Sequence, residues 1–384
     1  MEIRVDSIED SRKIRCFHLK KQFLFSKALK DQSAEVLDSQ LALHSTDYLT
    51  PYLSLWARVE DFNPESLLDD LCSGSALRIR AFRGTVFVVG KNQATELSKI
   101  LQWTMRPRIN EAVRILKSHS IDYPGIESLI TKILENEDLL TTAQIRNLAA
   151  PELESQFFTL IMRKLELSGS LTRGKPRYLS DRIIRWKLSG PIRLRQDEIE
   201  ERLRSLTLKY IKTFGPICLD DLSWWLPVTK TKASELIHDL SENLVCFPWN
   251  QRTYWMESND YQQLMNIEPL ECSTVNLLPY EDHFTKSYII RNWFLRPENE
   301  KHVTFEGRIY MGQIQPSILV DGEIIGRWIW TWEDKKKTGG FAAIAELQED
   351  PPIKNAIKDQ ISVKLAELET FMNEKIVPLI NRKN

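Results

Sequence analysis

The segment from His44 to Asp47 brings together residue types that can move or hold a proton. His44, Thr46 and Asp47 supply an imidazole, a hydroxyl and a carboxylate between an apolar run and a segment with the pattern of an amphipathic helix. An imidazole exchanges protons near neutral pH, a hydroxyl can orient a bound water, and a carboxylate provides negative potential. The segment is therefore a candidate site for acid–base chemistry on a bound ligand.

Each of these residues also has a structural explanation. A histidine at the approach to a helix often makes structural hydrogen bonds, and Thr46 and Asp47 precede a helix whose first N–H groups such residues commonly cap. Trp56, within the following helix, is expected to pack in the core. The residue types alone leave both interpretations open.

Composition limits the class of protein. The chain has 384 residues, 42% hydrophobic and 27% charged, with a net charge of −1, which is typical of a folded protein of two to four domains. Its five cysteines are widely spaced without a CxxC pair, and no apolar run has the length of a membrane span. Walker A, GxGxxG and HExxH motifs are absent from the sequence. We therefore expect a cytoplasmic protein with no membrane contact, no metal and no cofactor.

A one-sign charge run stands out in this nearly neutral chain. Between positions 173 and 195 a single acid, Asp181, accompanies eight basic residues: Arg173, Lys175, Arg177, Arg182, Arg185, Lys187, Arg193 and Arg195. Such a run is what contact with a phosphate backbone requires. The alternative is a solvated surface that has no partner.

Three stretches of the chain repeat the order helix, helix, two-stranded hairpin. The first has a helix that Asn63-Pro64 opens and Gly74 ends, followed by strands at 76–82 and 85–89. The second has helices near 126–134 and 154–168, a capping box at 141–144, and hairpin strands at 171–172 and 178–179. The third, about 197–256, ends in strands at 245–249 and 253–256. Helix–turn–helix followed by a hairpin is the winged-helix arrangement.

After residue 260 the pattern becomes strand-like. Strands are predicted at 275–278, 309–311, 317–320 and 324–330, with Asp321-Gly322 as the turn of a hairpin. A helix at about 353–377 closes the chain. The predicted fold class is α+β, with three tandem winged-helix domains (1–110, 111–196 and 197–262) followed by a β-rich C-terminal domain (263–384).

Four blocks of the sequence resemble the AlkZ/YcaQ family of winged-helix DNA glycosylases. The first block is Leu43-His44-Ser45-Thr46-Asp47, followed by Tyr52-Leu53-Ser54-Leu55-Trp56-Ala57-Arg58, and the second is Arg83-Gly84-Thr85. The third is Lys209-Tyr210-Ile211-Lys212-Thr213-Phe214-Gly215-Pro216, with Asp221 and Trp225 downstream. The fourth is Leu277-Leu278-Pro279 with Asp282, Tyr288 and Arg291, followed by Leu319-Val320-Asp321-Gly322-Glu323-Ile324-Ile325-Gly326-Arg327-Trp328. The set occurs in the family's order over nearly the whole chain.

The resemblance implies a concave surface for double-stranded DNA and removal of N-alkylated or crosslinked purines. With such a partner we expect a nucleoid-associated location, and we expect the protein to be a monomer. The family's catalytic motif is Gln-x-Gln or Gln-x-Asp, with His at the first position in some members, and His44 and Thr46 occupy the matching positions here. Many members also carry a His two residues after Arg-Gly-Thr, where this chain has Phe87. Fold and DNA binding therefore carry over more directly than the catalytic motif.

Roles for individual residues follow as hypotheses. His44 could accept a proton from the attacking water, Thr46 could orient that water, and Asp47 could face the positive charge that develops on the sugar. The expected DNA contacts are Arg58, Arg83, Arg173, Lys175, Arg177 and Arg252. Asp282, Tyr288 and Arg291 are expected to form a buried polar network, or alternatively to contact the DNA.

The sequence leaves three functions open. One is a DNA glycosylase in which His44 replaces the usual Gln. The second, which the His-Ser-Thr triplet favours, is a winged-helix protein that binds or regulates DNA without catalysis. The third is a protein–protein module that has kept the fold but lost DNA, for which the basic run would have no purpose.

Overall fold

The computed structural model describes residues 8–137, 139–189, 195–268, 274–304, 313–333, 340–349 and 351–382. Within these ranges the strands form three sheets of three strands and one sheet of four, surrounded by helices. None of the helices in the described ranges has both the length and the apolar character that a membrane crossing requires.

The first unit contains the predicted hairpin, with four helices before it and two after it. Its helices are α1 (Ile8–Lys21), α2 (Ser33–Ser39), α3 (Thr50–Trp56), α4 (Pro64–Ser73), α5 (Lys91–Thr104) and α6 (Arg106–Ser118), and its strands are β1 (Leu43–His44), β2 (Ala76–Arg80) and β3 (Val86–Gly90). The predicted start and end of α4 are confirmed, because Asn63 Oδ1 accepts from the Glu65 N–H at 3.1 Å and Gly74 adopts φ 89°. A positive φ at that position suits glycine, which lacks a Cβ.

The second unit has α7 (Tyr123–Asn136), β4 (Leu140–Thr141), α8 (Thr142–Ala149), α9 (Ser155–Leu167), β5 (Leu171–Arg173) and β6 (Arg185–Leu188). The predicted capping box is confirmed, with Thr141 and Gln144 bonding to each other's backbone N–H groups. This capping box marks the point where β4 ends and α8 begins.

The predicted hairpin strand at 178–179 is wrong. β5 pairs with β6 at 185–188, so residues 174–184 form a long loop, here called the 174–184 loop. Leu179 is only 4% exposed and packs into a core outside its own unit, which removes it from any hairpin. Local alternation suggested a strand, but tertiary packing decided the conformation.

The third unit has α10 (Gln196–Phe214), β7 (Ile217–Cys218), α11 (Leu219–Trp225), α12 (Lys230–Asp239), β8 (Leu244–Trp249), β9 (Arg252–Glu257) and α13 (Ser258–Met265). Its hairpin turns at Asn250 and Gln251, which both have positive φ. The strand orders β1-β3-β2, β4-β6-β5 and β7-β9-β8 are equivalent, with a short first strand and a central second hairpin strand. The three units thus share one small topology.

The C-terminal unit contains an antiparallel sheet in the order β10-β11-β12-β13. Its elements are β10 (Val275–Leu278), α14 (His283–Lys286), α15 (Pro297–Val303), β11 (Ser317–Val320), β12 (Glu323–Glu333), β13 (Gly340–Leu347), α16 (Asn355–Phe371) and α17 (Val377–Asn381). Positive φ at both Asp321 and Gly322 confirms the predicted turn. β13 was not predicted, and the predicted strand at 309–311 lies outside the described residues.

The cores show which units pack as one body. One buried cluster joins the first, third and C-terminal units, and another joins the first unit to the C-terminal sheet and α16. The second unit is built around a separate cluster that includes Leu116 of α6. Apolar burial therefore ties three units together more strongly than it ties the second unit to them.

A buried polar ladder on α3 fixes the segment that precedes α14. Thr50, Ser54 and Arg58 are spaced four residues apart, so Thr50 and Ser54 share one face of α3, and Arg58 continues the same line two residues beyond the end of the helix. The Thr50 hydroxyl donates to the Tyr280 carbonyl (3.0 Å) and the Ser54 hydroxyl to Asp282 (2.8 Å). Arg58 donates to both Asp282 oxygens, at 2.7 and 2.9 Å, and neither side chain is exposed. The ladder holds residues 280–282 against α3.

The prediction that Arg58 contacts DNA is wrong. Its guanidinium has no exposed surface, and its partner Asp282 is equally buried. Burial by itself would raise the pKa of Asp282, but Arg58 above all, with His283, lowers it to about 2. The pair is therefore ionised and internal, and it compensates a charge that would otherwise be buried alone.

We expect Arg58→Met to lower the free energy of unfolding by roughly 3–5 kcal/mol, the usual result of leaving one buried charge uncompensated. The double variant Arg58→Met with Asp282→Asn should be more stable than Arg58→Met alone, because no unpaired carboxylate remains. Urea unfolding of the two variants and the parent measures both effects. A loss below about 1 kcal/mol in Arg58→Met, the range of an exposed pair, would contradict this role of the ladder.

Candidate active site

An open cleft of about 610 Å³ lies between the first and second units. Its lining comes from the loop after β1, from β2 and β3, from α6 and α9, and from the 174–184 loop. Seven arginines line it: Arg78, Arg80, Arg83, Arg108, Arg163, Arg173 and Arg182. The lining acids are Asp47 and Asp181. This surface, here called the arginine cleft, is suited to a polyanion.

Thr46 and Asp47 lie in the wall of the arginine cleft with exposed side chains. They occupy the loop between β1 and α3, where Asp47 Oδ1 accepts from the Leu49 N–H at 2.7 Å. That bond closes a turn before α3, but it is not a helix cap, because the N-cap of α3 is Leu49 and no side chain caps this helix. The capping explanation for Thr46 and Asp47 is therefore wrong, and the Asp47 carboxylate instead fixes its own loop and faces the cleft.

His44 lies directly behind this loop and is fully buried. Its ring packs edge-on against Phe87, its partner across β1 and β3, at 5.2 Å between centroids. Its Nε2 is 2.9 Å from Glu281 Oε2 and 3.3 Å from Thr46 Oγ1. Burial, followed by the cations Lys286 and Arg83, lowers the pKa of His44 well below its usual range, so the ring is neutral.

The partner Glu281 decides which ring nitrogen holds the proton. A neutral imidazole has one N–H, and a carboxylate only accepts hydrogen bonds. A bare Nε2 facing the Glu281 carboxylate at 2.9 Å would be repulsive, so Nε2 carries the proton and donates it. Nδ1 is then the bare nitrogen, and it is buried without a hydrogen-bond partner among the described residues.

This tautomer limits what His44 can do chemically. Nε2 already carries a proton, so it cannot take one from a water molecule in the cleft. The Nε2–H of His44 can instead point to the Thr46 oxygen as acceptor, and the Thr46 O–H is then free to donate towards the cleft. The geometry thus favours a positioning role for His44 over the general-base role that the sequence suggested.

Glu281 is a site residue that the sequence analysis missed. It is 2% exposed, it also pairs with Lys286, and its φ of +52° is uncommon for a residue with a side chain. The only local signal is a second acid directly before Asp282 in an otherwise apolar segment. Its proximity to His44 depends on the ladder from α3, which no local pattern reveals.

Several cleft arginines are held in place by other side chains or by backbone. Glu166 binds Arg80 at 2.7 Å and Arg173 at 2.6 Å, and Arg78 donates to the Ser45 carbonyl at 3.0 Å. Arg83 stacks over Trp224 at 3.5 Å, and burial next to Arg291 lowers its pKa to about 9. These contacts orient the cations before any ligand arrives.

Two further arginines reach the cleft without such restraint. Arg108 on α6 and Arg163 on α9 are exposed, and burial together with the neighbouring Arg163 and Arg80 lowers the pKa of Arg108. The two arginines are like charges on helices that pack together, and an anion bound between them would relieve their repulsion. No local pattern in the sequence selects this pair, because α6 and α9 meet only in the folded protein.

The remaining predicted DNA contacts are placed unevenly. Arg83 and Arg173 line the arginine cleft, whereas Lys175 and Arg177 are exposed on the 174–184 loop without lining it. Arg252, in the hairpin of the third unit, pairs with Asp220 and does not line the cleft. The structure therefore brings two of these predicted cations next to Thr46 and Asp47.

The predicted polar network is buried beneath the cleft. Asp282 belongs to the ladder, and the Tyr288 hydroxyl donates to the Phe214 carbonyl at 2.7 Å with no exposure. Arg291 is 4% exposed and lies 5.9 Å from the Trp224 ring. None of the three lines the arginine cleft. Their positions agree with a structural network rather than with contact to DNA.

The fold as a whole is that of a DNA glycosylase of known structure. Streptomyces sahachiroi DNA glycosylase AlkZ superimposes with a TM-score of 0.73 over 98% of this chain and 97% of that chain, at 16% sequence identity. At this identity the likeness is one of fold. Among curated proteins no match was found.

The family follows from the sequence itself. The family model described as DNA glycosylase AlkZ-like matches residues 37–371. The chain therefore belongs to the AlkZ-like DNA glycosylase family, which confirms the resemblance carried by the four sequence blocks. Membership supports a function of DNA glycosylase type and implies binding to DNA.

The neutral Nε2–H form of His44 has a direct spectroscopic test. Long-range ¹H–¹⁵N NMR should show the proton on Nε2, with no change from about pH 8 to 6, the interval around the usual imidazole pKa of about 6.5. Burial makes protonation unfavourable throughout this interval. The exposed ring of His119 provides the solvent-contacting reference. A proton on Nδ1, or titration of His44 in this interval, would contradict the assignment.

Proposed function

We propose that the protein is a monofunctional DNA glycosylase that excises N-alkylated or crosslinked purines from duplex DNA in the arginine cleft. The observation that carries this proposal is the exposure of Thr46 and Asp47 in the wall of a cleft lined by seven arginines. Family membership supplies the reaction class, and the cleft supplies a place where phosphates and a sugar can meet these two side chains.

We further infer that the three small units are tandem winged-helix domains, at about 1–110, 111–196 and 197–262, followed by a β-rich domain at 263–384. Their equivalent strand orders and their preceding helices support this interpretation. Winged helices use helix and hairpin together to hold a duplex. The arginine cleft lies between the first two of these units.

The chemistry assigned to the site follows from the lesion. An N-alkylated purine is already cationic, so it leaves without a general acid, and the sugar develops oxocarbenium character. Asp47 provides negative potential for that cation and accepts the proton of the attacking water. Thr46, with its oxygen towards His44, donates its own hydrogen bond to position the water. Glu281 and His44 act from behind as positioning residues.

The cleft arginines fall into two groups that would bind the duplex in different ways. Those fixed by Glu166, by Ser45 or by Trp224 present cations in set directions, which lowers the entropy lost on binding. Arg108 and Arg163 are exposed and unfixed, and a phosphate between them would relieve their repulsion. Phosphate contacts of this kind position the duplex and carry no base specificity.

A second function is favoured by one observation. His44, at the first position of the family's catalytic motif, is fully buried and its Nε2 is occupied by Glu281. A chain in which that position no longer reaches the cleft could bind DNA without releasing a base. A non-catalytic DNA-binding or regulatory protein is therefore the alternative that the experiments must separate.

Base release tests the two functions. Duplexes carrying N7-methylguanine or N3-methyladenine should yield alkali-labile sites with the purified protein. Asp47→Asn should slow release by roughly 10²–10⁴-fold, the usual contribution of a positioned base, and Thr46→Val should also slow it. Asp31→Asn, at an exposed position away from the cleft, is the control. Duplex binding without release of any such lesion would instead establish the non-catalytic alternative.

The DNA interface has a separate test. Arg108→Ala and Arg163→Ala should each weaken duplex binding and reduce the slope of log affinity against log salt by about 1, as expected for one lost phosphate contact. Arg114→Ala is the matched control, because Arg114 is an exposed arginine of α6 that does not line the cleft. Equal effects of Arg108→Ala and Arg114→Ala on the slope would place the duplex elsewhere.

A further inference from the structure

An exposed apolar side chain stands among the cations of the arginine cleft. Ile183 is 53% exposed and lines the cleft together with the neighbouring Arg182 and Ile184. Of the large hydrophobic residues that are exposed in the described part of the chain, Ile183 is the one that lines this cleft. Its position calls for a ligand with apolar surface as well as negative charge.

The 174–184 loop holds Ile183 in a defined place. Asp181 is 4% exposed and accepts from the Arg177 N–H (3.0 Å), the Ile183 N–H (3.2 Å) and the Arg185 guanidinium (2.8 Å). The single acid of the basic run thus organises the loop on both sides of itself. Hydrogen bonds to a buried carboxylate are among the stronger ones in proteins.

Contacts outside the second unit fix the loop against the rest of the molecule. Leu179 is buried in the core of the first and C-terminal units, and the Ser180 hydroxyl donates to the Ile380 carbonyl at 3.1 Å. The Cys72 thiol donates to the Pro176 carbonyl at 3.3 Å. Arg182 lies 4.5 Å over the ring of Tyr48, two residues after Thr46. Ile183 therefore projects from a docked loop close to the Thr46–Asp47 wall.

The stacked bases of duplex DNA match this combination of charge and apolar surface. Phosphates suit the arginines, and the faces of the bases are the apolar surface of the same ligand. Glycosylases extrude the target nucleotide from the duplex, which opens a gap in the stack. Apolar side chains such as isoleucine are inserted between base steps by proteins that distort duplexes.

We propose that Ile183 is an apolar wedge that enters the base stack of duplex DNA beside the nucleotide extruded towards Thr46 and Asp47. The assignment rests on the proposed function for the identity of the extruded nucleotide. It goes beyond that function by naming the residue that occupies the gap and the loop that delivers it.

Fluorescence of 2-aminopurine reads stack opening without any need for base release. The probe is a duplex with one N7-methylguanine and 2-aminopurine as its neighbour. Binding of the parent protein should raise the fluorescence. Ile183→Ala should remove most of that rise and slow base release by about tenfold or more, since the gap left by the extruded nucleotide would no longer be filled. Ile183→Met, which keeps apolar volume, should retain most of the rise.

Ile344→Ala is the matched control, since Ile344 is 57% exposed on the C-terminal sheet, away from the cleft. Near-parental fluorescence with Ile183→Ala, an equal loss with Ile344→Ala, or the absence of any rise with the parent protein would overturn the wedge. A parent protein that opens the stack but releases no base would refute the proposed glycosylase and leave the wedge standing. Base release without a fluorescence rise would refute the wedge and leave the proposed glycosylase standing.

Discussion

The buried salt bridge between Arg58 and Asp282 is the constraint on which the site depends. Together with Thr50 and Ser54 it fastens residues 280–282 to α3, although more than 220 residues separate the two segments. Glu281 lies between two fastened neighbours, and this holds its unusual backbone conformation and its carboxylate behind His44. The fully buried pair of Arg58 and Asp282 thereby positions Glu281 and His44, and His44 in turn contacts the exposed side chain of Thr46. Removal of either partner would leave the other charge buried without compensation, so the arrangement depends on both residues being present.

The cleft in turn concentrates positive charge that the fold must tolerate while no anion is bound. Seven arginines repel one another, and Glu166, Trp224 and the Ser45 carbonyl each stabilise one or two of them. Burial acts against the charge of Glu166, but Arg173 and Arg80 outweigh it and lower the pKa of that carboxyl. The protein therefore carries an oriented cationic surface at a moderate energetic cost, and that orientation is already in place when a phosphate backbone approaches.

Local signals predicted the elements well, and long-range contacts explain the errors. Gly74, the Thr141 capping box and Asp321-Gly322 act within a few residues, so the sequence was sufficient for α4, α8 and the β11–β12 turn. Arg58 was assigned to DNA because an arginine at the end of an amphipathic helix has no visible partner in the sequence. The strand at 178–179 failed because Leu179 packs into a core formed by other units.

In the candidate site, too, some residues could be named from local signals in the sequence, and others depend on long-range contacts. Thr46, Asp47, Arg83 and Arg173 could be named from motif and charge, and all four line one cleft. Glu281, Arg108 and Arg163 could not, because each enters the site through packing between elements far apart in the chain. The family blocks contributed the reaction class, which no periodicity or charge count contains.

Glu166 has one more consequence, for the way in which the first two units are joined. It stands on α9 of the second unit and binds both Arg80 of the first unit and Arg173 of its own unit. Apart from Leu179, which packs among residues of the other units, the second unit is built around an apolar cluster of its own. Loss of this one carboxylate would therefore leave two guanidiniums without their counter-charge and would remove an ion pair that crosses from one unit to the other.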